Sequence, residues 1–291
     1  VNSIEPGGHI TTTEYDRSGN TVRELTPGNR DLALATSGPS LGLLTLLGLD
    51  AVGTADRAAQ LSTSHIYSAD GQNELAVFGP RHEVTLATPL QADAGGTDLP
   101  AGSEIPARLH TVTAYDQGRP TDGSATASGL PTTVTTGASV SGYSHDADTH
   151  TTTTAYDWAK ALPTSTTEDP GGLNVTKTTA YDAQSRPVTT AQPKSNGTDA
   201  GTTVTTYYSA TGTGACHARP EWAGLVCSTA PAGAITGGGS NPTQSPTKTT
   251  EPRTARPSPT RRMLSDGRSV TATAPATPPR PPTTPSTGPS P

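Results

Sequence analysis

One pattern of polar and apolar positions recurs along this chain: a threonine-rich run, then Tyr-Asp, then turn residues, then a second short extended run. It reads TTTEYDRSGN at Thr11–Asn20, HTVTAYDQGRP at His110–Pro120, TTTTAYDWAKALP at Thr151–Pro163 and KTTAYDAQSRP at Lys177–Pro187. Looser copies stand at Ser62–Gln72 and Thr202–Gly212. Such self-similarity marks a repeat architecture. Each unit predicts a β-hairpin. Threonine is β-branched and suits a pleated strand. In Thr111–Tyr115 the odd positions share one face with Tyr115, and Val112 and Ala114 take the other. Asp116 then opens a turn, its carboxylate able to accept backbone N–H bonds just ahead. Gly19 and Gly118 can supply a positive φ there; Ser185 stands at that point in the copy at Lys177–Pro187 and leaves its turn less defined.

A lone hairpin buries too little to be stable, so the copies are expected to donate edges to one another in one continuous sheet. The alternation is weak, with threonine and small residues on both faces, so both faces should be only partly dry. The pattern changes over residues 30–62, where Asp31–Ala35 and Leu41–Leu49 are rich in Leu and Ala and Thr54 is a plausible N-cap for the run to Leu61. Two or three short helices packed on the sheet are expected there. The division that follows is a first repeat over 1–29, a helical insertion over 30–62, a repeat sheet over 63–236 and a tail over 237–291.

Composition sharpens this picture. Of 291 residues, 30% are hydrophobic and 15% charged. Leu, Ile, Val and Phe make up about 13%, below the roughly 20% at which a dense core becomes doubtful. Threonine is about one residue in five, and 31 Gly and 28 Pro add another fifth. That excludes a helical bundle and a doubly wound α/β domain, whose buried parallel strands need Val/Ile/Leu runs; the fold class is all-β. A net charge of −6 provides no basic field for nucleic acid. No apolar run approaches the ~18 residues of a membrane span. The tail has no Tyr, Phe or Trp, and its bias toward proline and arginine predicts disorder. Its composition is also what a GC-rich gene yields when read out of frame, which makes a frameshift after about residue 246 an expectation beside that of a genuine Pro-rich linker.

Candidate chemistry is sparse. Cys216 and Cys227 flank one Pro/Trp/Gly loop; they are either a disulfide, which implies an oxidising compartment, or two unrelated thiols. Ser144–His150 carries His145, Asp146, Asp148 and His150, but His145 and His150 would face opposite sides of a strand, and a solvated loop is the simpler account than a metal site. Glu168-Asp169 before Pro170-Gly171-Gly172 reads as turn chemistry, and no G-x-S-x-G elbow occurs. No cofactor, metal or catalytic residue is expected. The repeated tyrosines read as packing and hydrogen-bonding anchors of the sheet, with stacking on sugars as the alternative.

The copies at Thr13–Asn20, Thr113–Arg119 and Thr179–Arg186 resemble the YD repeats of RHS (rearrangement hotspot) proteins, which also occur in wall-associated bacterial proteins and teneurins. The blocks Tyr67–Gln72, Phe78–Val84 and Arg219–Leu225 resemble the actinobacterial type. The resemblance covers about residues 10–236. It implies structural anchors at Tyr15, Asp16, Tyr67, Tyr115, Asp116, Tyr156, Asp157, Tyr181, Asp182 and Tyr207. It further implies a spiralling β-sheet shell around a cargo, commonly a C-terminal toxin, with export or surface display and a role in contact-dependent competition or carbohydrate binding. The expected partners are neighbouring YD repeats or such a cargo, and the expected location is secreted or cell-surface. The chain is far shorter than such shells and starts within a repeat-like segment, so it reads as a fragment, with any export signal lying elsewhere.

Overall fold

In the computed structural model the threonine-rich runs become strands of one antiparallel sheet. The structure describes residues 1–126 and 128–234, and the backbone of 247–248. Apart from the backbone of Thr247–Lys248, which pairs with the strand at Val226–Pro231, the tail lies outside the described residues, and with it the expected disorder and change of reading frame.

The strands are β1 (Asn2–Ile4), β2 (Ile10–Tyr15), β3 (Thr21–Leu25), β4 (Thr63–Tyr67), β5 (Glu74–Phe78), β6 (His82–Thr85), β7 (Glu104–Tyr115), β8 (Pro131–Val140), β9 (Ala147–Asp157), β10 (Leu162–Glu168), β11 (Val175–Tyr181), β12 (Pro187–Ala191), β13 (Thr202–Tyr207), β14 (Val226–Pro231) and β15 (Thr247–Lys248). Their order in the sheet follows the chain, except that β6 leaves the main path and pairs with the first half of β7. The fold is all-β, and each hairpin lies beside the one that precedes it. This order needs no crossover, so each strand finds its partner close by in sequence.

Helices α1 (Pro27–Leu34), α2 (Gly38–Leu46) and α3 (Thr54–Gln60) lie in the chain between β3 and β4, which still pair with each other in the sheet. The helical segment starts at Pro27, ahead of the expected boundary at residue 30, because proline suits the first turn and lacks only an N–H that has no partner there. Gly53, not Thr54, is the N-cap of α3; Thr54 is already helical. The i, i+3 spacing of Leu41, Leu44 and Leu47 turns one face of α2 inward, while Leu43 and Leu46 are left exposed. Gly48, at φ 67°, ends this helix: its N–H bonds the Thr45 carbonyl, and that of Leu49 bonds the Leu44 carbonyl at 2.7 Å. Leu25, Ala33, Leu44, Leu47, Leu49 and Leu61 form one core. A second core gathers Leu86, Leu90, Ala107, Val140 and Ala147 where the segment after β6 folds back over β7 and β8. The hairpins from β9 onward contribute little to either core, and their strands are mostly half-buried on both faces.

Candidate functional site

The repeated tyrosines occupy one structural position. Tyr15, Tyr67, Tyr115, Tyr181 and Tyr207 each end the first strand of a hairpin, and Tyr156 comes one residue before such an end. A β-bulge lies at every one of them, opposite which Val22, Leu75, Thr132, Thr164, Val188 and Cys227 are the extra residues. The bulge strengthens local twist as the chain enters the turn. Proline follows the turn in three hairpins, at Pro131, Pro163 and Pro187, as the partner of the tyrosine; at the start of a strand its missing N–H costs little.

The tyrosine hydroxyls join hairpin to hairpin. Tyr115 Oη donates to the Glu74 carbonyl at 3.0 Å, Tyr156 to Pro131 at 2.9 Å, Tyr181 to Pro163 at 3.0 Å and Tyr207 to Pro187 at 3.0 Å. Each acceptor is the residue paired with the previous tyrosine. One register produces this. The pairs Ala76–Val112, Thr133–Thr153, Ser165–Thr178 and Thr189–Val204 align successive hairpins, and each tyrosine lies three residues beyond its strand's member of the pair. The result is a ladder of side chain to backbone bonds running across the strands. Tyr67 has the same register, through Arg23–Ser64, but faces Glu74; there Asn20 Nδ2 bridges the hairpins by donating to the Gly71 carbonyl at 3.0 Å. Tyr15 is half exposed.

The aspartates hold the turns. Asp16 Oδ1 accepts the N–H groups of Ser18 and Asn20 at 2.8 and 2.9 Å, and the Asn20 backbone bond foremost holds its carboxyl below the usual range. The Arg186 guanidinium, donating to Asp182 at 2.8 Å, is the foremost cause holding that carboxyl below the usual range, and Asp182 also accepts the N–H groups of Gln184 and Arg186 at 2.9 and 3.0 Å. Ser185, at φ 63°, takes the left-handed position that Gly19 takes at φ 88°, so the turn that serine left less defined closes in the same way. Asp157 accepts Ala159 and Lys160 N–H groups. Asp116 works at longer range: it opens a loop that closes only at residue 130, and its carboxylate accepts the N–H groups of Gly129 and Leu130. The last hairpin has no aspartate at this point. Its loop is pinned by the disulfide Cys216–Cys227, with Cα atoms 5.7 Å apart, and by Trp222 set edge-on to Tyr208 at 5.1 Å. Turns also touch one another: Arg186 lies 4.2 Å over the Tyr207 ring, and Lys160 Nζ donates to the Asp182 carbonyl at 3.3 Å.

The polar cluster at 144–150 is drawn into structure. Asp148 accepts the N–H groups of Ala87 and Thr88, which pins the segment over the second core and lowers its carboxyl. Asp146 bonds His110 at 2.6 Å, and that imidazole stacks on Phe78 at 4.0 Å. His145 bonds its neighbour Ser144. Among the described residues no three His, Cys, Asp or Glu side chains come together as a metal site would require, and no helix is long and apolar enough to cross a membrane. Sequence reasoning passed over an open cavity of about 350 Å³ where Tyr156 and Trp158, 5.6 Å apart, meet Gln117, Thr133, Thr153 and Thr154. The aromatic residue two places after Tyr156 was its one visible sign.

No family model matches the chain, and no curated protein does. Among solved structures it is similar to a chain of the Photorhabdus luminescens Tc holotoxin pore, at 11% identity and a TM-score of 0.25. That likeness covers 68% of the present chain and 9% of the Tc chain.

Proposed function

We propose that this chain is a structural segment of an RHS-type exported or cell-surface protein, a length of β-wall that encloses or displays a C-terminal toxin cargo and carries out no catalysis itself. The observation that carries this reading is the ladder: four hairpins attach to their predecessors by the same hydroxyl-to-carbonyl bond in the same register. A device that repeats with each unit suits a wall extended by adding units. The aspartates and histidines with bonds described above are occupied in turns and cross-links, which favours a scaffold over an acid–base site. The disulfide supports an oxidising compartment. The partners are then further Tyr-Asp hairpins and the cargo.

Sequencing the gene on both sides of this segment, in all frames, tests the reading. Further Tyr-Asp hairpins upstream and a separate cargo domain downstream are the expected result. A segment flanked by unrelated enzyme domains, with no further hairpin, would overturn it.

The cavity beside Tyr156 and Trp158 favours a second reading, a carbohydrate-binding surface, since aromatic faces bordered by hydroxyls and an amide suit a sugar ring. A glycan array probed with the full chain separates the two. Binding lost in Trp158→Ala supports the second reading, and no binding leaves the wall.

A further inference from the structure

Between the helical core and the second core, two guanidinium groups meet without a carboxylate. Arg81 follows β5 in the Gly79-Pro80-Arg81 connection, where its backbone N–H donates to the Gln60 carbonyl at 2.8 Å. Its Nε is shielded from water and has no hydrogen-bond partner. Arg108, on β7, reaches the same place. Its Nε donates to the Gly79 carbonyl at 2.7 Å, and its Nη2 donates to the Ser62 carbonyl, Ser64 Oγ and the Phe78 carbonyl at 2.9 to 3.2 Å. Every one of these acceptors is neutral. Among the described residues neither arginine forms an ion pair, whereas Arg23 and Arg186 each do.

The two arginines line one cavity of about 210 Å³ with Gln60, Phe78, Ser139 and Ser141. Ser139 is paired with Arg108 across β7 and β8, and Ser141 lies two residues on, toward the same side. Burial lowers the pKa of both guanidiniums, and the charge of Arg81 lowers that of Arg108 further. Guanidinium does not deprotonate in proteins, so two like charges and an orphaned donor are held together in a partly dry space. Such an arrangement is costly unless negative charge joins it.

We propose that this cavity binds a small tetrahedral oxyanion, phosphate or sulfate. The cavity has room for one such ion together with water. The guanidinium nitrogens not engaged in those bonds to neutral acceptors provide donors for oxyanion oxygens, and the serine hydroxyls and the Gln60 amide can complete the shell. Seated there, the ion would tie α3, the β5–β6 connection, β7 and β8 together, locking the helical insertion to the sheet. The site is independent of the wall reading and stands or falls without it.

Thermal unfolding of the full chain at matched ionic strength in chloride, acetate, phosphate and sulfate tests the proposal. Saturating phosphate or sulfate should raise Tm by about 2–4 °C over chloride and acetate. The anion with the larger rise is the better fit. Arg81→Met should abolish the rise, while Arg186→Met, whose partners are Asp182 and Tyr207, should keep it. Should Arg81→Met not fold, Ser141→Asp places a carboxylate at the exposed mouth of the cavity and should also remove the response. No rise specific to phosphate or sulfate, or a rise that persists in Arg81→Met or in Ser141→Asp, would overturn the proposal.

Discussion

The helical insertion and the hairpin array are held together by different forces. In the insertion, leucines spaced for one helix face meet in a dry core, with Leu44 fully buried. Arg57 crosslinks the segments there by donating to the carbonyls of Ala35, Leu49 and Asp50. In the array from β9 to β14 the strands bury little apolar surface, and neighbours are joined by backbone ladders, tyrosine hydroxyls and turn carboxylates. The first region depends on area removed from water, the second on a bond repeated in register. Damage should therefore be deep and local in the insertion but shallow and cumulative in the array.

The largest effect is expected from Leu44→Ala. Loss of a fully buried leucine should cost about 2–5 kcal/mol by urea unfolding. Amide exchange should rise across α1–α3 before it rises in β9–β12, and equal loosening of both regions would blur the distinction. Reducing Cys216–Cys227 should cost roughly 2–3 kcal/mol, with faster exchange confined to β13, β14 and their loop. Acid should weaken the array next. Asp16, Asp70, Asp182 and Asp199 all have carboxyls held below the usual value of 3.8, by hydrogen bonds within their turns. The unfolded chain therefore takes up protons first: this contribution is full above that value and is lost as pH falls through the lowered ones. A melting series from pH 6 to pH 2 should show the loss, and Asp182→Asn should flatten it. The smallest effect is expected from the double change Thr167→Val and Thr176→Val, whose hydroxyls meet at 2.8 Å. Removing both partners of an exchangeable pair should shift stability by under about 0.5 kcal/mol, since valine suits a strand equally.

Much of the array could be read from residue order. The Thr-run, Tyr-Asp and turn residues located the hairpins because β-branched strands and Asp-led turns are local preferences. The Leu-rich stretch announced helices through its spacing. What the tyrosines bond was not legible, since their acceptors depend on the register between hairpins, and Glu74 is 41 residues from Tyr115. The role of Ser185 was obscured because serine seldom takes the left-handed conformation that Gly19 adopts easily. Arg81 and Arg108 gave no sign of meeting, as only the return of β7 beside β5 brings them to one cavity. The cluster at 144–150 reads from sequence as a solvated loop rather than a metal site, yet a strand begins at Ala147, and Asp146 and Asp148 are directed to partners 36 and 61 residues away, which sequence spacing does not reveal.

The most direct measurement is urea unfolding, with amide exchange, of a variant carrying Tyr→Phe at Tyr115, Tyr156, Tyr181 and Tyr207 together. Each lost hydroxyl bond should cost about 1 kcal/mol, and the separated sites should add to about 4. Exchange should quicken at the junctions β5–β7, β8–β9, β10–β11 and β12–β13, while α1–α3 stay protected. Stability and exchange indistinguishable from the unaltered chain would mean that the ladder is ornamental, and that the hairpins are held by backbone pairing alone.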